Sequence, residues 1–466
     1  MLATDMPATA PGAPRPVLRT RDGVVLVVGL VLGAGIFRAP QVVAANAGGT
    51  GTMLVLWAAG GLVSLLGALC YAELATAYPH AGGEYHLLSR AYGERVGFLC
   101  AWSRMTVIQT GSLAILAFVV ADYAMPLLAL PATAAAGPAV AAVVVAVLTL
   151  VNAAGIRQGR ATQWGLTLIE VLGLVLVTLA GLLVAPAVAA AGATATAGAQ
   201  PTEGGSSAIG LALIFVLLTY GGWSEAAYLS AELRDRQRGV LRTLAWGVGV
   251  VTLLYLAANV AYLRALGPAG VAATPAVAAE VMRRAAGPWG ERVVACVVIA
   301  AALSSANATV ITGARSTFAV GQDVPAFRWL GAWRARAGTP ARAVFVQGAV
   351  TLLLVLFGST ARSGFEAMVT YTAPVFWLTL LGTGAAVIVL RRRDPATPRP
   401  VRVPLYPLTP VVFCAAAAYM LYASVAHAGP GALLGVAVML AGLPVLALAR
   451  RAPAPARSRS PSSLTP

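Results

Sequence analysis

Residues 24–40 read VVLVVGLVLGAGIFRAP. The run is apolar enough to start a membrane-crossing helix, yet it carries Gly33-Ala34-Gly35 near its middle, where glycine weakens a helix most. Gly29 and Gly33 form a G-x-x-x-G pair, a spacing that lets neighbouring helices pack closely. The same glycines also suit a helix that breaks and offers its backbone to a ligand. The rest of the chain bears on the choice.

Of the 466 residues, 59% are hydrophobic and 10% charged, more apolar surface than a soluble domain can hide. The expectation is one all-α membrane domain over 17–451, with Pro/Ala/Ser-rich disordered cytoplasmic tails at 1–16 and 452–466. The net charge of +16 does not point to nucleic acid, because the basic residues, all arginine, sit in short loops between apolar runs. The four cysteines lie in or beside apolar segments, which argues against a disulfide framework. The first apolar run is longer than a signal-peptide core, lacks an A-x-A exit, and reads as retained.

At about 20 apolar residues per crossing, twelve spans are expected, near 23–47, 51–77, 97–128, 138–155, 162–185, 208–231, 240–264, 290–317, 341–358, 364–390, 406–427 and 430–449. Arginines before the first span and after each even-numbered one place both termini on the cytoplasmic side of an inner (plasma) membrane. Loop 186–207, rich in Ala and Gly, reads as an external connection.

The sixth span repeats the anomaly of the first. In LALIFVLLTYGGWSEAAYLSAELRD, Tyr220-Gly221-Gly222-Trp223 falls about midway. Two glycine-interrupted helices, each first in a set of five, are the sequence pointer to an inverted-repeat transporter with a central site. The repeats would span about 23–185 and 208–390, with two helices, about 406–449, appended. Freed amides at one break favour an anion and freed carbonyls a cation. A zwitterion suits both.

Several stretches resemble the amino acid–polyamine–organocation permeases. Gly33-Ala34-Gly35-Ile36-Phe37 is similar to that family's G-[SA]-G-[IV]-F, and YAELATAYPHAGGEYHLLSRAYG at 71–93 to its helix 2 signature. AELRDRQR, closing the sixth span, resembles its acidic-then-basic exit, and RRRDPATPRPVRVPLYPLTP at 391–410 its Arg/Pro-rich loop. The resemblance implies a LeuT-type fold of twelve transmembrane helices, with helices 1 and 6 broken, and transport of amino acids or related organocations without a cofactor. It further implies that the backbone of Ala34, Gly35 and Ile36 meets a substrate carboxylate. Carbonyls near Leu30, Leu218 and Tyr220 would meet the amino group, and Trp223 and Ser224 would line the side-chain pocket.

Some relatives carry a lysine in helix 5, linked to proton coupling or exchange; aligning RATQWGLTLIEVLGL puts Glu170 there. A carboxylate near the midplane must be neutralised by a proton or a bound cation. Glu170 is therefore expected to carry the coupling proton, with Ser304 and Ser305 as hydrogen-bond partners. Glu73 and Arg315 are expected to pair at an inner gate, against the bland reading of an interfacial pair of small worth. Glu225 either attracts a cationic side chain or pairs with Arg104.

An intramembrane enzyme would need a motif such as H-E-x-x-H or G-x-S-x-G, and the sequence has neither. No filter loop or pore-lining polar ring marks a channel. A non-transporting amino-acid sensor would use the same pocket. The apolar lining ranks neutral amino acids first, ahead of cationic amino acids or polyamines; symport, exchange and any accessory subunit stay open.

Overall fold

The computed structural model describes residues 20–78, 83–131, 133–155, 160–184, 206–224, 238–334, 338–361, 363–427 and 429–451. These are helical throughout, with no β-strand among them, and nine of their helices are long and apolar enough to cross a membrane. The solvent dictates this choice: in hydrocarbon every backbone N–H and C=O must be paired within the protein, and a helix pairs them within one segment.

The interrupted first span is two helices, α1 (Thr20–Val31) and α2 (Gly35–Asn46). Then come α3 (Thr50–Ala77), α4 (Glu84–Tyr92) and α5 (Glu94–Ser103). A π turn over Arg104–Ile108 joins α5 to α6 (Gln109–Leu127), so this span begins at Glu94, and the segment before it, read as loop, holds a short helix. α7 (Ala136–Ala153), α8 (Arg160–Leu183) and α9 (Ser206–Thr219) follow. α10 (Arg238–Ala273) kinks at Gly267, and α11 (Val277–Asp323) at Ala286–Gly287, where positive φ at both glycines turns the chain. The connection expected at 264–292 is thus largely helical. α12 (Ala341–Gly358), α13 (Gly364–Arg393), α14 (Leu408–His427), α15 (Gly429–Leu440) and α16 (Gly442–Arg451) complete the described helices. The tails, loop 186–205 and Glu225 lie outside the described residues.

Helices from the two halves pack on one another: α2 on α9, α3 on α10, and α6 on α11. The start of α1 and the ends of α3, α11 and α13 share one arginine-rich end of the bundle. There the segment after α13 is tied down by Glu73. Its carboxylate accepts from Arg391 Nε at 2.7 Å and Nη2 at 2.5 Å and from the Val403 amide at 2.7 Å, with Arg399 Nε 3.6 Å away. This corrects the expected Glu73–Arg315 pair. The buried carboxylate is already filled by partners more than 300 residues along the chain, while Arg315 is exposed on α11.

Removing one member of a buried ion pair costs about 3–5 kcal/mol, because its partner is left uncompensated. Glu73→Ala should therefore loosen the segment after α13. Trypsin cleavage after Arg402, followed in detergent, is expected to quicken at least about tenfold; an unchanged rate would refute the clamp.

Candidate functional site

The chain breaks between α1 and α2 at Leu32–Ala34, and again after α9 at Tyr220–Gly222, becoming helical once more at Trp223. Each break exposes backbone groups that a continuous helix would pair. α2 starts at Gly35 without any side-chain cap, so its first amides stay open. The carbonyls behind the breaks are partly taken. Tyr255 on α10 places its hydroxyl 2.9 Å from the Val31 oxygen and 3.2 Å from that of Thr219, one donor shared between the last residues of α1 and α9. The Leu218 oxygen accepts the Gly221 amide at 3.0 Å.

The glycines divide their work. A Cβ on Gly29 would lie 2.4 Å from the Thr167 hydroxyl of α8, so Gly29 serves close packing. A Cβ on Gly33 would meet only the Ser305 hydroxyl, at 3.8 Å, because Gly33 faces a cavity. Gly35 would touch Thr219, which shows how near the two breaks approach. Gly222 has φ +92°, a backbone only glycine adopts without strain. Both readings of the opening stretch therefore hold, one for each glycine of the G-x-x-x-G pair.

The cavity, about 250 Å³, lies where the breaks meet. Gly33, Ala34 and Gly35 line it on one side, Leu218, Thr219, Gly221, Gly222 and Ser224 on another. Ser304, Ser305, Thr309 and Thr312 of α11 add hydroxyls, and Phe215, Phe365 and Phe376 add apolar wall. At the α2 end the cavity is roofed. Phe365 is buried beneath the Arg38 guanidinium, 5.2 Å from ring centroid to Cζ, and Arg38 hydrogen-bonds Gln41 and pairs with Asp122 of α6 at 3.3 Å. Toward the arginine-rich end, Ser305, Thr309, Thr312 and Ser316 form a partly accessible stripe on α11, opposite Gly29 of α1.

Ala34, Gly35, Leu218, Ser224, Ser304 and Ser305 are thus brought together, while other expected residues are not. Leu30 sits in the last turn of α1. Ile36 is fully buried in α2. Tyr220 turns away, donating to the Trp57 carbonyl at 2.9 Å. Trp223 does not line the pocket: its indole packs edge-on against Tyr71 and Phe413, in the gap beside Gly67. Ser304 and Ser305 make no hydrogen bond to Glu170, because they face the cavity and Glu170 does not line it. Glu170 is 3% exposed on α8, which packs against α10, the helix that carries Tyr255. Its Oε2 has no hydrogen-bond partner among the described residues. The other described buried acids, Glu73 and Glu84, each hold an arginine.

Sequence reasoning missed Glu84, paired with Arg104, and also Gln109, Ser112, Thr309 and Thr312, all on the cavity wall. A π turn shifts the face that α6 presents, and nothing in the residue pattern of 104–108 announces it. Among the described residues no group of His, Cys, Asp or Glu is arranged to hold a metal ion.

A family model described as Amino acid permease matches residues 19–446. The chain is 29% identical over 394 residues to the b(0,+)-type amino acid transporter 1 of Mus musculus, covering 83% of this chain and 78% of that protein. It is also 29% identical over 438 residues to the Large neutral amino acids transporter small subunit 2 of Homo sapiens, covering 90% and 78%.

The Tyr255 bridge can be weighed by melting the protein with a thiol-reactive dye, since Cys70 and Cys100 are free and buried. Tyr255→Phe, which strips two buried carbonyls of their donor, should destabilise by about 1–3 kcal/mol. Tyr262→Phe removes a buried hydroxyl with no partner among the described residues and should cost less. Equal losses would deny the bridge its role.

Proposed function

Because the chain belongs to the amino acid permease family of the amino acid–polyamine–organocation superfamily, whose matched relatives are transporters and not enzymes, we propose that it is a secondary active amino-acid transporter. It works by alternating access, with neutral substrates favoured. One observation carries this reading: an uncapped helix N-terminus and the carbonyl ends of two broken helices face a single cavity inside a multi-pass membrane protein. The open amides of Gly35 and Ile36 suit a carboxylate. The second lone pairs of the Leu218 and Thr219 carbonyls suit an ammonium group. A polyamine, having no carboxylate, would leave the amides unused, and zwitterions therefore rank first.

The packing of α2 on α9, α3 on α10 and α6 on α11 supports a LeuT-type arrangement of five plus five inverted helices. In such a repeat, equivalent elements near the pseudo-two-fold axis meet each other. The arginine-rich end is taken as cytoplasmic, with both termini on that side of the plasma membrane. The roof of Phe365, Arg38 and Asp122, with the accessible stripe on α11, then corresponds to an inward-facing state. Opening the roof would require the Arg38–Asp122 pair to part.

Glu170 is assigned the coupling proton. It is buried, lacks an arginine partner among the described residues, and sits on a helix packed against α10, which carries the hydroxyl that joins the two breaks. A proton arriving there would alter the charge buried against α10, the helix whose Tyr255 joins both helix ends. Ser304 and Ser305 belong, on this view, to the substrate wall.

Uptake of a labelled amino-acid pool into empty proteoliposomes tests the proposal. An inward proton gradient should stimulate uptake by the wild type and fail to stimulate it in Glu170→Gln. Stimulation that survives Glu170→Gln would remove the proton role. Entry only after unlabelled amino acids are loaded inside would make the protein an exchanger. Binding without entry would make it a sensor.

A further inference from the structure

Glu84 begins α4 and turns its carboxylate into the cavity wall, where its side chain is 3% exposed. One oxygen accepts from the Tyr71 hydroxyl, and the other lies 2.5 Å from Nη1 of Arg104. Arg104 opens the π turn between α5 and α6, and its side chain, 10% exposed, lines the cavity too. A substrate entering this space meets both charges at once. Hydrogen-bonded acids and bases buried this deeply set which charges a neighbouring ligand can carry, since like charges brought together in a low dielectric are strongly rejected.

We propose that Arg104 is a built-in counter-ion that determines specificity: it holds the Glu84 carboxylate in place of a cationic substrate side chain and so keeps the cavity selective for neutral amino acids. The inference rests on the reading of this cavity as the substrate site. Without Arg104, Glu84 would present an uncompensated carboxylate to the cavity, with the Tyr71 hydroxyl as its remaining named donor. A lysine or arginine side chain could then supply the missing charge. The apolar walls, Ile108, Phe215 and Leu380 among them, accept the aliphatic part of either substrate. The charge at the pair decides which side-chain end is tolerated.

The test is uptake of labelled leucine, lysine and glutamate, measured in parallel in proteoliposomes of wild type, Arg104→Gln, Glu84→Gln and the double variant. Wild type should favour leucine over lysine. Arg104→Gln should raise the lysine-to-leucine ratio at least about tenfold and lower the glutamate-to-leucine ratio, whereas Glu84→Gln should not raise the lysine ratio. The double variant, with two neutral amides in place of the pair, should return both ratios toward wild type. A pair that only braces α4 against α5 would lower all uptake together and leave the ratios fixed, which would overturn the inference. If Arg104→Gln does not fold, Arg104→Met decides by the same measurement: an unmoved lysine-to-leucine ratio overturns the inference. Wild type that prefers lysine also overturns it. Wild type that moves no amino acid at all overturns the transport reading, and this inference with it.

Discussion

Breaking a helix inside a membrane frees backbone groups that lipid cannot satisfy, and here one hydroxyl answers for two breaks. Tyr255 reaches the last carbonyls of α1 and α9 together. A single donor can serve both only if the breaks lie side by side, as the contact between Gly35 and Thr219 requires. Much of the surrounding structure holds that tyrosine in position. Its ring stacks edge-on with Trp57 of α3 and with Tyr220 beyond the second break, and Tyr220 in turn donates to Trp57. The bridge takes up acceptors while α2 starts without a side-chain cap, so on the proposed reading its amides are left for the carboxylate of a zwitterion.

That arrangement explains which parts of the fold were legible in the residues. Both breaks could be read, because glycine pairs inside long apolar runs have a local cost that shows in composition. The spans could be read for the same reason, since hydropathy is local. Side-chain direction was not legible. Trp223 follows a Gly-Gly pair and looked like a pocket wall, yet the positive φ at Gly222 swings the next residue toward Tyr71 and Phe413. Long-range ion pairs were equally hidden. Glu73 finds Arg391 across 318 residues, and no spacing rule predicts it. Glu84 stood inside a quoted motif without being singled out, because its role depends on a π turn twenty residues later.

Charge placement separates structural acids from functional ones. Glu73 and Glu84 are nearly inaccessible and each has a guanidinium at 2.5 Å. Such pairs add little net stability over apolar packing and are kept where they fix register or selectivity. Glu73 does the first, fastening the segment after α13 to the end of α3. Glu84 is assigned the second.

Glu170 differs from both, and the difference gives it a direction of action. A buried carboxylate without a cationic partner is tolerable in lipid only when a proton or a cation neutralises it. Its occupancy can therefore change during a cycle, whereas that of a saturated pair cannot change without breaking the pair. Its helix packs on α10, whose Tyr255 hydroxyl holds the ends of α1 and α9. On the proposed proton role, a change of charge at Glu170 reaches both broken helices across that packing, although Glu170 itself does not line the cavity. In the proposed mechanism coupling and substrate binding are separate in space and share the one hydroxyl that bridges both breaks.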